Sequence, residues 1–218
     1  MILSGQKISR IVNETKVQKQ LDVFDSAVCR PSVDIEPFNP ENINPHSCNL
    51  TIGNKLLIYE VARPLHDWYR ETEKHGAAIF SGPNPPLPKA LNPRKKNPTV
   101  EFIVDEEEGF TLYPGIIYLA NTIEKVTAYG LAPQIDGRSS FGRLGLIIHL
   151  TAGYIDSGFS GNYTLELTVI QPFILFPFVP ICQVTFEHID GNVTDYTGRY
   201  NGQTDPTPSR SYQEVTHL

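Results

Sequence analysis

Cysteine is scarce in this chain, and its scarcity limits the kinds of fold that the sequence can specify. The 218 residues include three cysteines, Cys29, Cys48 and Cys182, which are too few and too scattered for a disulfide framework. The amino terminus also lacks an apolar run of the kind found in secretory signal peptides. We therefore expect a cytoplasmic protein that is stabilised by a packed core.

Long apolar runs and an excess of positive charge are missing as well. No stretch is apolar over the roughly 20 residues that a membrane-spanning helix needs, so we expect no membrane partner. The formal net charge of −6 opposes non-specific binding to nucleic acid, because phosphate backbones attract basic surfaces. An anionic ligand must then be met by local basic groups, and a small nucleotide fits this requirement better than DNA does.

Proline, glycine and β-branched residues, by contrast, are plentiful. Eighteen prolines and sixteen glycines separate short runs rich in Val, Ile, Thr, Tyr and Phe, and this composition is typical of a mostly β fold with frequent turns. The length favours one domain over residues 1–218. A short helix is expected near the start, where Ser4 can cap a turn before Ile8, Ile11 and Val12 at helical spacing.

The basic turn from Gly137 to Arg143, with the sequence GRSSFGR, is the first candidate for ligand binding. Its first glycine permits a tight turn, its serines can cap a short helical turn, and two arginines flank it. Exposed N–H groups at a helix start, with guanidinium groups beside them, suit phosphate oxygens. The spacing alone is a weak signal, and it matches neither a P-loop nor a dinucleotide-binding motif.

A glutamate on a predicted strand is the candidate for proton transfer. Apolar and polar residues alternate from Thr164 to Val169, which predicts a strand with one packed face and one polar face. Glu166 lies between two threonines on the polar face. A strand fixes the position of a carboxylate, and its pKa can rise when a substrate covers it and removes water. Without the neighbouring basic turn, an ordinary solvent-facing glutamate would be the better explanation of the pattern.

Segments distributed along the chain resemble, in the same order, the dCTP deaminase family, which is related in fold to the trimeric dUTPases. The core segments are GRSSFGRLGL and TAGYIDSGFSGNYTLEL, and the others are MILS, PHSCNLTIGNKL, GFTLYPGIIYLANT and the tail RYNGQTDPTPSRSYQ. The resemblance implies a mostly β, dUTPase-like distorted β-barrel of the β-clip or jelly-roll kind with a few short helices. It also implies a homotrimer whose active sites are built from neighbouring subunits.

The activity implied by the resemblance is the hydrolytic conversion of dCTP to dUTP and ammonia without zinc. Zinc-dependent nucleoside deaminases need H-x-E and P-C-x-x-C motifs, and the sequence contains neither. A carboxylate base must then activate the water, and Glu166 takes this role, first as base and then as acid. The resemblance implies that Ser139 and the Ala152 carbonyl hold the water, and that Arg143 orients the site as a buried guanidinium close to Glu166.

The other contacts implied by the resemblance surround the nucleotide, here dCTP, dUTP or dTTP. Asp156 is expected on the deoxyribose 3′-hydroxyl, while Thr164 and Leu165 meet the base edge through their backbone. Arg199 stands where a lysine is usual, and its planar fork favours bidentate contacts. The full implied binding set is Arg138, Ser139, Ser140, Phe141, Gly142, Arg143, Asp156, Thr164, Leu165, Glu166, Gln183, Tyr196, Arg199, Gln203 and Arg210.

The pair Gly153-Tyr154 bears on which product is released. Within the family that the chain resembles, members that only deaminate tend to carry a bulky His-Arg pair there, whereas dUMP-forming members tend to have glycine and an aromatic residue. We therefore expect a second step from dUTP to dUMP and pyrophosphate. Asp156 is expected to position the attacking water, and Mg²⁺ is expected to be held through the phosphates, with no direct side-chain ligand.

Three further expectations concern regions outside this core. Residues 61–98, which include His66, are expected to be an insertion of turns and extended loop, and residues 17–30 also look longer than the family needs. The tail, residues 196–218, is expected to close over the triphosphate as a lid and to become ordered when ligand is present. His149 is expected to be a structural histidine whose hydrogen bonds are satisfied.

Two other functions remain open on the same fold. One is a dUTP diphosphatase without deaminase activity, although that reaction needs no proton shuttle such as Glu166 at the pyrimidine ring. The other is a non-catalytic, nucleotide-binding regulator, against which the intact set of Ser139, Arg143 and Glu166 argues. Fold alone does not separate these functions.

Overall fold

The computed structural model describes residues 1–20, 31–74 and 84–215. Within these ranges the strands are β1 (Ser32–Glu36), β2 (Cys48–Thr51), β3 (Lys55–Tyr59), β4 (Thr99–Ile103), β5 (Phe110–Leu112), β6 (Tyr118–Tyr129), β7 (Leu131–Gly137), β8 (Leu146–Ile147), β9 (Ser160–Val169), β10 (Phe173–Leu175) and β11 (Pro180–His188). The helices are α1 (Gly5–Gln20), α2 (Arg63–Lys74), α3 (Ser139–Gly142) and α4 (Tyr212–Val215). The mostly β class predicted from composition is confirmed.

Two antiparallel sheets contain most of the described strands. The larger sheet has the order β4-β3-β6-β9-β8, with β1 also paired to β6, and the smaller sheet has the order β2-β11-β7. Strands β6 and β9 pair along most of their length, but their register shifts between Asn121 and Lys125. This irregularity is a β-bulge, which bends the strand and frees backbone groups for other partners.

Helix α1 begins where the sequence predicts it. The Ser4 Oγ accepts a hydrogen bond from the Lys7 N–H (3.3 Å), as an N-cap residue does, and Ile8, Ile11 and Val12 are buried. The helix continues to Gln20, so it is longer than the short helix expected, because most residues after Val12 are good helix formers. The rest of the long 17–30 segment, residues 21–30, lies outside the described residues.

Strand β9 has the predicted alternation of buried and polar positions. Thr164, Glu166 and Thr168 are half-buried on one face. The side chains on the other face, which are packed in the core, are those of Tyr163, Leu165, Leu167 and Val169. The alternation therefore fixes which way the Glu166 side chain faces.

The hydrophobic core lies between the two sheets and α1. Its fully buried side chains include Tyr118, Phe186 and Leu165. A second, smaller cluster consists of Leu57, Tyr59 and Leu119. Its members alternate along β3 and β6 with residues of the main core, so the cluster lies on the opposite face of these strands.

The segment from 61 to 98 contains a helix, which corrects the expectation of turns and extended loop throughout. Helix α2 buries Leu65, His66 and Thr72, and the His66 ring packs against Phe110 with a centroid distance of 5.3 Å. The prediction is wrong for residues 63–74. The segment forms a helix there because its buried face packs against an aromatic surface. The expectation is correct for residues 84–98, which form no regular helix or strand.

The described helices do not meet the length and hydropathy that a bilayer requires. None of those within residues 1–20, 31–74 and 84–215 is both long and apolar enough to cross a membrane.

Candidate active site

A cavity of about 340 Å³ opens beside the polar face of β9. Its walls come from β9, from the segment that precedes β9, from β3 and β6, and from the tail after β11. Among the predicted site residues, those that line it are Ala152, Tyr154, Asp156, Thr164, Glu166, Tyr196 and Gln203. A cavity of this size and mixed lining suits a small-molecule ligand.

Glu166 lies on the wall that β9 forms. Its partner across the sheet is Leu119 of β6, which also lines the cavity. Strand β8 pairs with β9 only at Thr168 and Val169, so β8 leaves the edge of β9 before Thr168 uncovered. Glu166 is thus a carboxylate on a rigid element that borders a cavity, as general acid–base catalysis requires.

The segment that carries Ala152 and Asp156 runs beside β7. The Gly153 carbonyl accepts a hydrogen bond from the Ile135 N–H (2.9 Å), and the Ile155 N–H donates to the Pro133 carbonyl (2.8 Å). A Cβ atom on Gly153 would lie 3.0 Å from the Ile135 carbonyl oxygen, so glycine permits this close approach. Ala152 and Asp156 are exposed on the cavity side of the segment.

His149 also lines the cavity, and its environment contradicts the expectation of a satisfied structural histidine. Both ring nitrogens are buried, and neither has a hydrogen-bond partner within the described residues. A buried imidazole nitrogen normally has a partner. The apolar run around His149 suggested a core position, but the chain turns after Ile148 and brings the ring to the cavity wall.

The tail crosses the cavity and pairs with the start of β9. The Asn162 N–H donates to the Gln203 carbonyl (2.9 Å), and Gln203 Nε2 donates to the Asn162 carbonyl (2.8 Å). A Cβ atom on Gly161 would lie 2.8 Å from the Gln203 carbonyl oxygen, so glycine is needed where the two segments meet. Farther along, the Thr207 N–H donates to Thr164 Oγ1 (3.1 Å).

The side chain of Gln203 offers one free acceptor at the cavity. Its Oε1 is buried and has no hydrogen-bond partner within the described residues. Leaving a buried polar atom unpaired costs about 1–3 kcal/mol. A ligand that donates to this oxygen would remove that cost.

The two predicted arginines of the tail, Arg199 and Arg210, bind each other's backbone. Arg199 Nη1 donates to the Arg210 carbonyl (3.0 Å), and Arg210 Nη1 donates to the Arg199 carbonyl. Arg199 also forms a salt bridge to Glu214 (3.1 Å), and Arg210 lies over the Tyr200 ring. These contacts close the tail into a loop, and neither arginine lines the cavity within the single chain.

The basic turn lies outside the cavity lining of a single chain, and one expectation about it is wrong. Ser139, Ser140 and Arg143 are exposed and do not line the cavity, so the burial of Arg143 beside Glu166 stays a prediction about assembled subunits. Arg138 occupies the N-cap position of α3, with no side-chain capping bond, so the serines lie inside the helical turn and do not cap it.

Gln183 belongs with the basic turn and not with the cavity. Its Nε2 donates to the Gly137 carbonyl (3.0 Å), and its Oε1 accepts a hydrogen bond from Ser47 Oγ (2.7 Å). Arg138 Nη1 donates to the Pro180 carbonyl on the same strand, β11. These bonds brace the turn in one orientation.

Apart from Arg199 and Arg210 in the tail, the predicted site residues thus form two groups on one chain. The first group lines the cavity and contains Glu166, while the second surrounds α3. The residues of the second group are Arg138, Ser139, Ser140, Phe141, Gly142, Arg143 and Gln183. Leu165 lies under the first group with its side chain fully buried, so it can reach a ligand only through its backbone.

Metal-ligating side chains do not gather at either group. Across residues 1–20, 31–74 and 84–215, no cluster of three or more His, Cys, Asp or Glu side chains is arranged to hold a metal ion. Burial raises the pKa of the Cys48 thiol to about 12, and burial also raises the pKa of Cys182. Both thiols are therefore protonated at neutral pH.

Sequence reasoning missed several cavity residues that come from distant segments. Tyr59 and Leu119 approach from β3 and β6, and Tyr200, Thr207 and Ser209 come from the tail. The alternation along β3 separates Tyr59 from the main core, but nothing local indicates that the tail returns to cover it. Their meeting depends on tertiary contacts.

Comparisons with known proteins find matches over nearly the whole chain. A profile of the family described as dCTP deaminase-like matches residues 2–189. A protein of Hathewaya histolytica named "dCTP deaminase, dUMP-forming" is 35% identical over 215 residues, which cover 98% of this chain and 99% of that protein. A Clostridium botulinum (strain Eklund 17B / Type B) protein of the same name is 36% identical, with 98% of each chain covered.

A solved structure shares the fold. The 2'-deoxycytidine 5'-triphosphate deaminase from Agrobacterium tumefaciens superposes with a TM-score of 0.53 at 16% identity. The match covers 85% of this chain and 46% of that one. At this identity the likeness concerns the fold alone, and it agrees with the dUTPase-like architecture expected from the sequence.

Proposed function

The chain belongs to the dCTP deaminase-like family, and we propose that it hydrolyses dCTP to dUTP and ammonia and then dUTP to dUMP and pyrophosphate. The observation that carries the proposal is Glu166 on the polar face of β9, beside a cavity that Ala152 and Asp156 also line. A carboxylate so placed can move protons at a bound ring without help from a thiolate.

Glu166 is the proton shuttle in the proposed deamination. It takes a proton from a water molecule as the oxygen attacks C4 of cytosine, and it delivers this proton to N3 of the ring. Glu166 then takes the proton of the new C4 hydroxyl and donates it to the 4-amino group, so the C4–N bond breaks, ammonia leaves and the C4 carbonyl forms. The Ala152 carbonyl accepts a hydrogen bond from the water and orients it, and the Ser139 hydroxyl takes the second orienting contact.

The cavity groups recognise the remainder of the nucleotide. The Asp156 carboxylate accepts a hydrogen bond from the deoxyribose 3′-hydroxyl, and the backbone at Thr164 and Leu165 meets the base edge. Tyr196 and Gln203 close the cavity from the tail side. The Gln203 Oε1 supports this role, since it is a buried acceptor that finds no donor among the described residues.

The basic turn reaches this cavity from a neighbouring subunit of a homotrimer. The separation of Arg143 and Ser139 from the cavity within one chain supports this arrangement. Contact across a subunit boundary supplies the guanidinium groups that a triphosphate requires, in a protein whose net charge is −6. An isolated subunit would then lack half of its site.

The oxygen acceptors at the cavity fit a hydrated Mg²⁺ that is carried by the phosphates. Asp156 presents an exposed carboxylate and Gln203 a free amide oxygen, and both suit the water ligands that Mg²⁺ retains. When bound, the ion neutralises charge on the pyrophosphate leaving group. Asp156 orients the water for this second hydrolysis, and the tail excludes bulk water.

Hydrolysis of dUTP to dUMP is supported by one pair of residues in the sequence and by the names of similar proteins. Gly153 and Tyr154 occupy the pair that differs between product types, and Tyr154 is 69% exposed at the cavity. The full-length relatives at about 35% identity are named as dUMP-forming. A small residue beside an exposed aromatic ring leaves room for a water near the phosphates.

The test is to incubate the purified protein with dCTP and Mg²⁺ and to follow ammonia, pyrophosphate and nucleotides together. Ammonia, dUMP and pyrophosphate in equal amounts are expected, and Glu166→Gln should bind dCTP but release no ammonia, because the amide cannot shuttle protons. Ammonia with dUTP would reject the second step. If dUTP were hydrolysed but dCTP were not, the deaminase assignment would be wrong.

A further inference from the structure

The tail meets the 61–98 insertion on the far side of the cavity from β9. The Ser209 N–H donates to Tyr59 Oη (3.1 Å), and Ser211 Oγ donates to the Pro93 carbonyl (3.0 Å). Tyr59 is the last residue of β3, immediately before the insertion, and Pro93 lies near the end of the insertion. The two contacts therefore hold one stretch of tail against both ends of the insertion.

Tyr59 is placed to bind the tail and shape the cavity at once. Its side chain is 8% exposed and packs with Leu57 and Leu119 in the smaller cluster. Tyr59, Leu119 and Ser209 all line the cavity, so the tail covers this cluster where it borders the site. The hydroxyl at the ring tip then finds its partner in the tail backbone, as a mostly buried tyrosine requires.

The turn from Asn92 to Asn97 holds the Pro93 carbonyl in place. Asn97 Oδ1 accepts a hydrogen bond from the Asn92 N–H (3.1 Å), and Asn97 Nδ2 donates to the carbonyls of Asn92 (2.9 Å) and Lys95 (3.1 Å). Asn92 Oδ1 accepts from the Arg94 N–H (2.9 Å). Side-chain bonds of this kind fix a loop that has no helix or strand.

The end of the insertion is also tied directly to Tyr59. The Glu60 N–H donates to the Pro98 carbonyl (3.0 Å), and Tyr59 pairs with Thr99 across β3 and β4. The turn and the tyrosine therefore belong to one connected unit. A tail that binds both is held by a preformed surface.

We propose that Tyr59 and the turn from Asn92 to Asn97 are positioning residues that hold the tail closed over the reaction site. Through this surface, the insertion acts on Thr207 and Ser209, the tail residues that line the cavity. The inference rests on the proposed function for its kinetic consequences, while the contact itself is independent of the chemistry. It gives the insertion a role within its own subunit.

Two substitutions test the proposal, Tyr59→Phe and Ser211→Ala. Each removes one hydrogen bond and keeps the local shape, so each should raise the KM for dCTP by about three- to tenfold. Saturating dCTP draws the tail closed, so kcat should stay within about twofold of wild type. Ser211 does not line the cavity, so a KM effect there cannot come from lost substrate contact.

A matched control is Tyr113→Phe, which makes the same chemical change at a residue outside the insertion that bonds to α2 of the insertion. The Tyr113 hydroxyl donates to Glu73 Oε2 (2.6 Å) at the end of α2 and does not line the cavity. This variant should lower the thermal midpoint and leave KM unchanged. If it raised KM as much as Tyr59→Phe does, a general loosening of the insertion would explain both, and the proposal would fail.

Tail opening can be measured without turnover by limited trypsin digestion. Cleavage after Arg210 requires the tail to leave its contacts, and Tyr59→Phe keeps the cleaved sequence intact. We expect cleavage about three- to tenfold faster than in wild type, with Tyr113→Phe close to wild type. Equal cleavage rates for wild type and Tyr59→Phe would overturn the proposal, whereas an absence of ammonia from wild type would overturn only the deaminase function.

Discussion

At the scale of single residues, Glu124 is a buried acid that lies within the β6 bulge. It is 5% exposed, and its Oε2 accepts a hydrogen bond from the Thr51 N–H (2.8 Å). Thr122 Oγ1 donates to the Glu124 carbonyl (2.8 Å) and accepts from the Tyr163 N–H (2.9 Å). The acid and the threonine thus tie the bulge to β2 and β9. Burial raises the pKa of the Glu124 carboxyl above its usual value.

This raised pKa predicts how Glu124→Gln changes the dependence of stability on pH. The folded state holds the Glu124 proton more tightly than the unfolded chain does, so the stability that this group contributes is present at low pH. It is lost as the pH rises through the folded pKa. Glu124→Gln keeps an acceptor for Thr51 without the charge, and should gain in free energy of unfolding, relative to wild type, from about pH 5 to about pH 8.

Urea denaturation of both proteins at the two pH values provides the measurement. If the free energies of unfolding of wild type and Glu124→Gln differed by the same amount at both pH values, Glu124 would not titrate differently on folding. Glu124→Leu is the matched comparison, because it leaves the Thr51 N–H without a partner and should cost about 1–3 kcal/mol.

Among the elements, helix α2 has a histidine in an aromatic enclosure. His66 is 2% exposed, and its ring packs against the rings of Phe102, Phe110, Tyr113 and Tyr118. Its Nδ1 has no hydrogen-bond partner among the described residues and lies 3.6 Å from a carboxylate oxygen of Asp67. Burial lowers the pKa of His66, an effect that Asp67 opposes and that Arg70 and Arg63 reinforce.

A lowered histidine pKa makes the packing of α2 sensitive to acid. The unfolded chain takes up a proton near the usual pKa of 6.5 while the folded chain resists it, so stability is lost as the pH falls from that value toward the lowered one. His66→Phe should therefore lose less of its thermal midpoint than wild type between about pH 7.5 and about pH 5.5. Differential scanning calorimetry at one protein concentration measures this.

The exposed His46 supplies the control for this prediction. His46→Phe should follow the wild-type pH dependence, because the side chain is not packed against α2. Equal acid sensitivity of His66→Phe and wild type would show that His66 does not govern the response.

At the scale of the whole molecule, the chain exposes several large apolar side chains and also holds the two site groups apart. Leu144, Ile170 and Ile174 are 52%, 70% and 53% exposed, and Ile147 and Phe176 are exposed to a smaller extent. The Ile170 N–H donates to the Gly145 carbonyl (3.0 Å), so Ile170, just after β9, lies beside the segment that joins α3 to β8. Exposed apolar groups of this extent are typical of subunit contacts.

The proposed sharing of the site between subunits predicts complementation of two inactive variants. Glu166→Gln and Arg143→Ala alter different site groups, so a refolded equal mixture in trimers should recover about a quarter of the wild-type activity. Intact sites form where an unaltered Glu166 meets an unaltered Arg143 from a neighbour. Recovery should coincide with trimers in sedimentation, whereas a mixture as inactive as its components would place the whole site within one subunit.

Much of the fold and part of the site could be predicted from local sequence pattern. Alternation over Thr164 to Val169 predicts strand β9 and the face that carries Glu166, because side chains on a strand alternate between its two faces. Ser4 predicts the start of α1. Its extension to Gln20 was not predicted, because the exposed last turns of the helix have little apolar periodicity. Helix α2 was missed because its aromatic partners, such as Phe110, lie far along the chain.

Local sequence pattern therefore specifies which residues share a face or a turn. It does so because the spacing of residues along one strand or helix sets the directions of their side chains. It does not specify which segments lie opposite one another, because register and the return path of the chain depend on packing across the fold. His149, with its unpaired ring nitrogens, and Tyr59, with its bond to Ser209, acquire their roles in this way. The distance between Glu166 and the basic turn likewise follows from the arrangement of the two sheets, which no single stretch of sequence encodes.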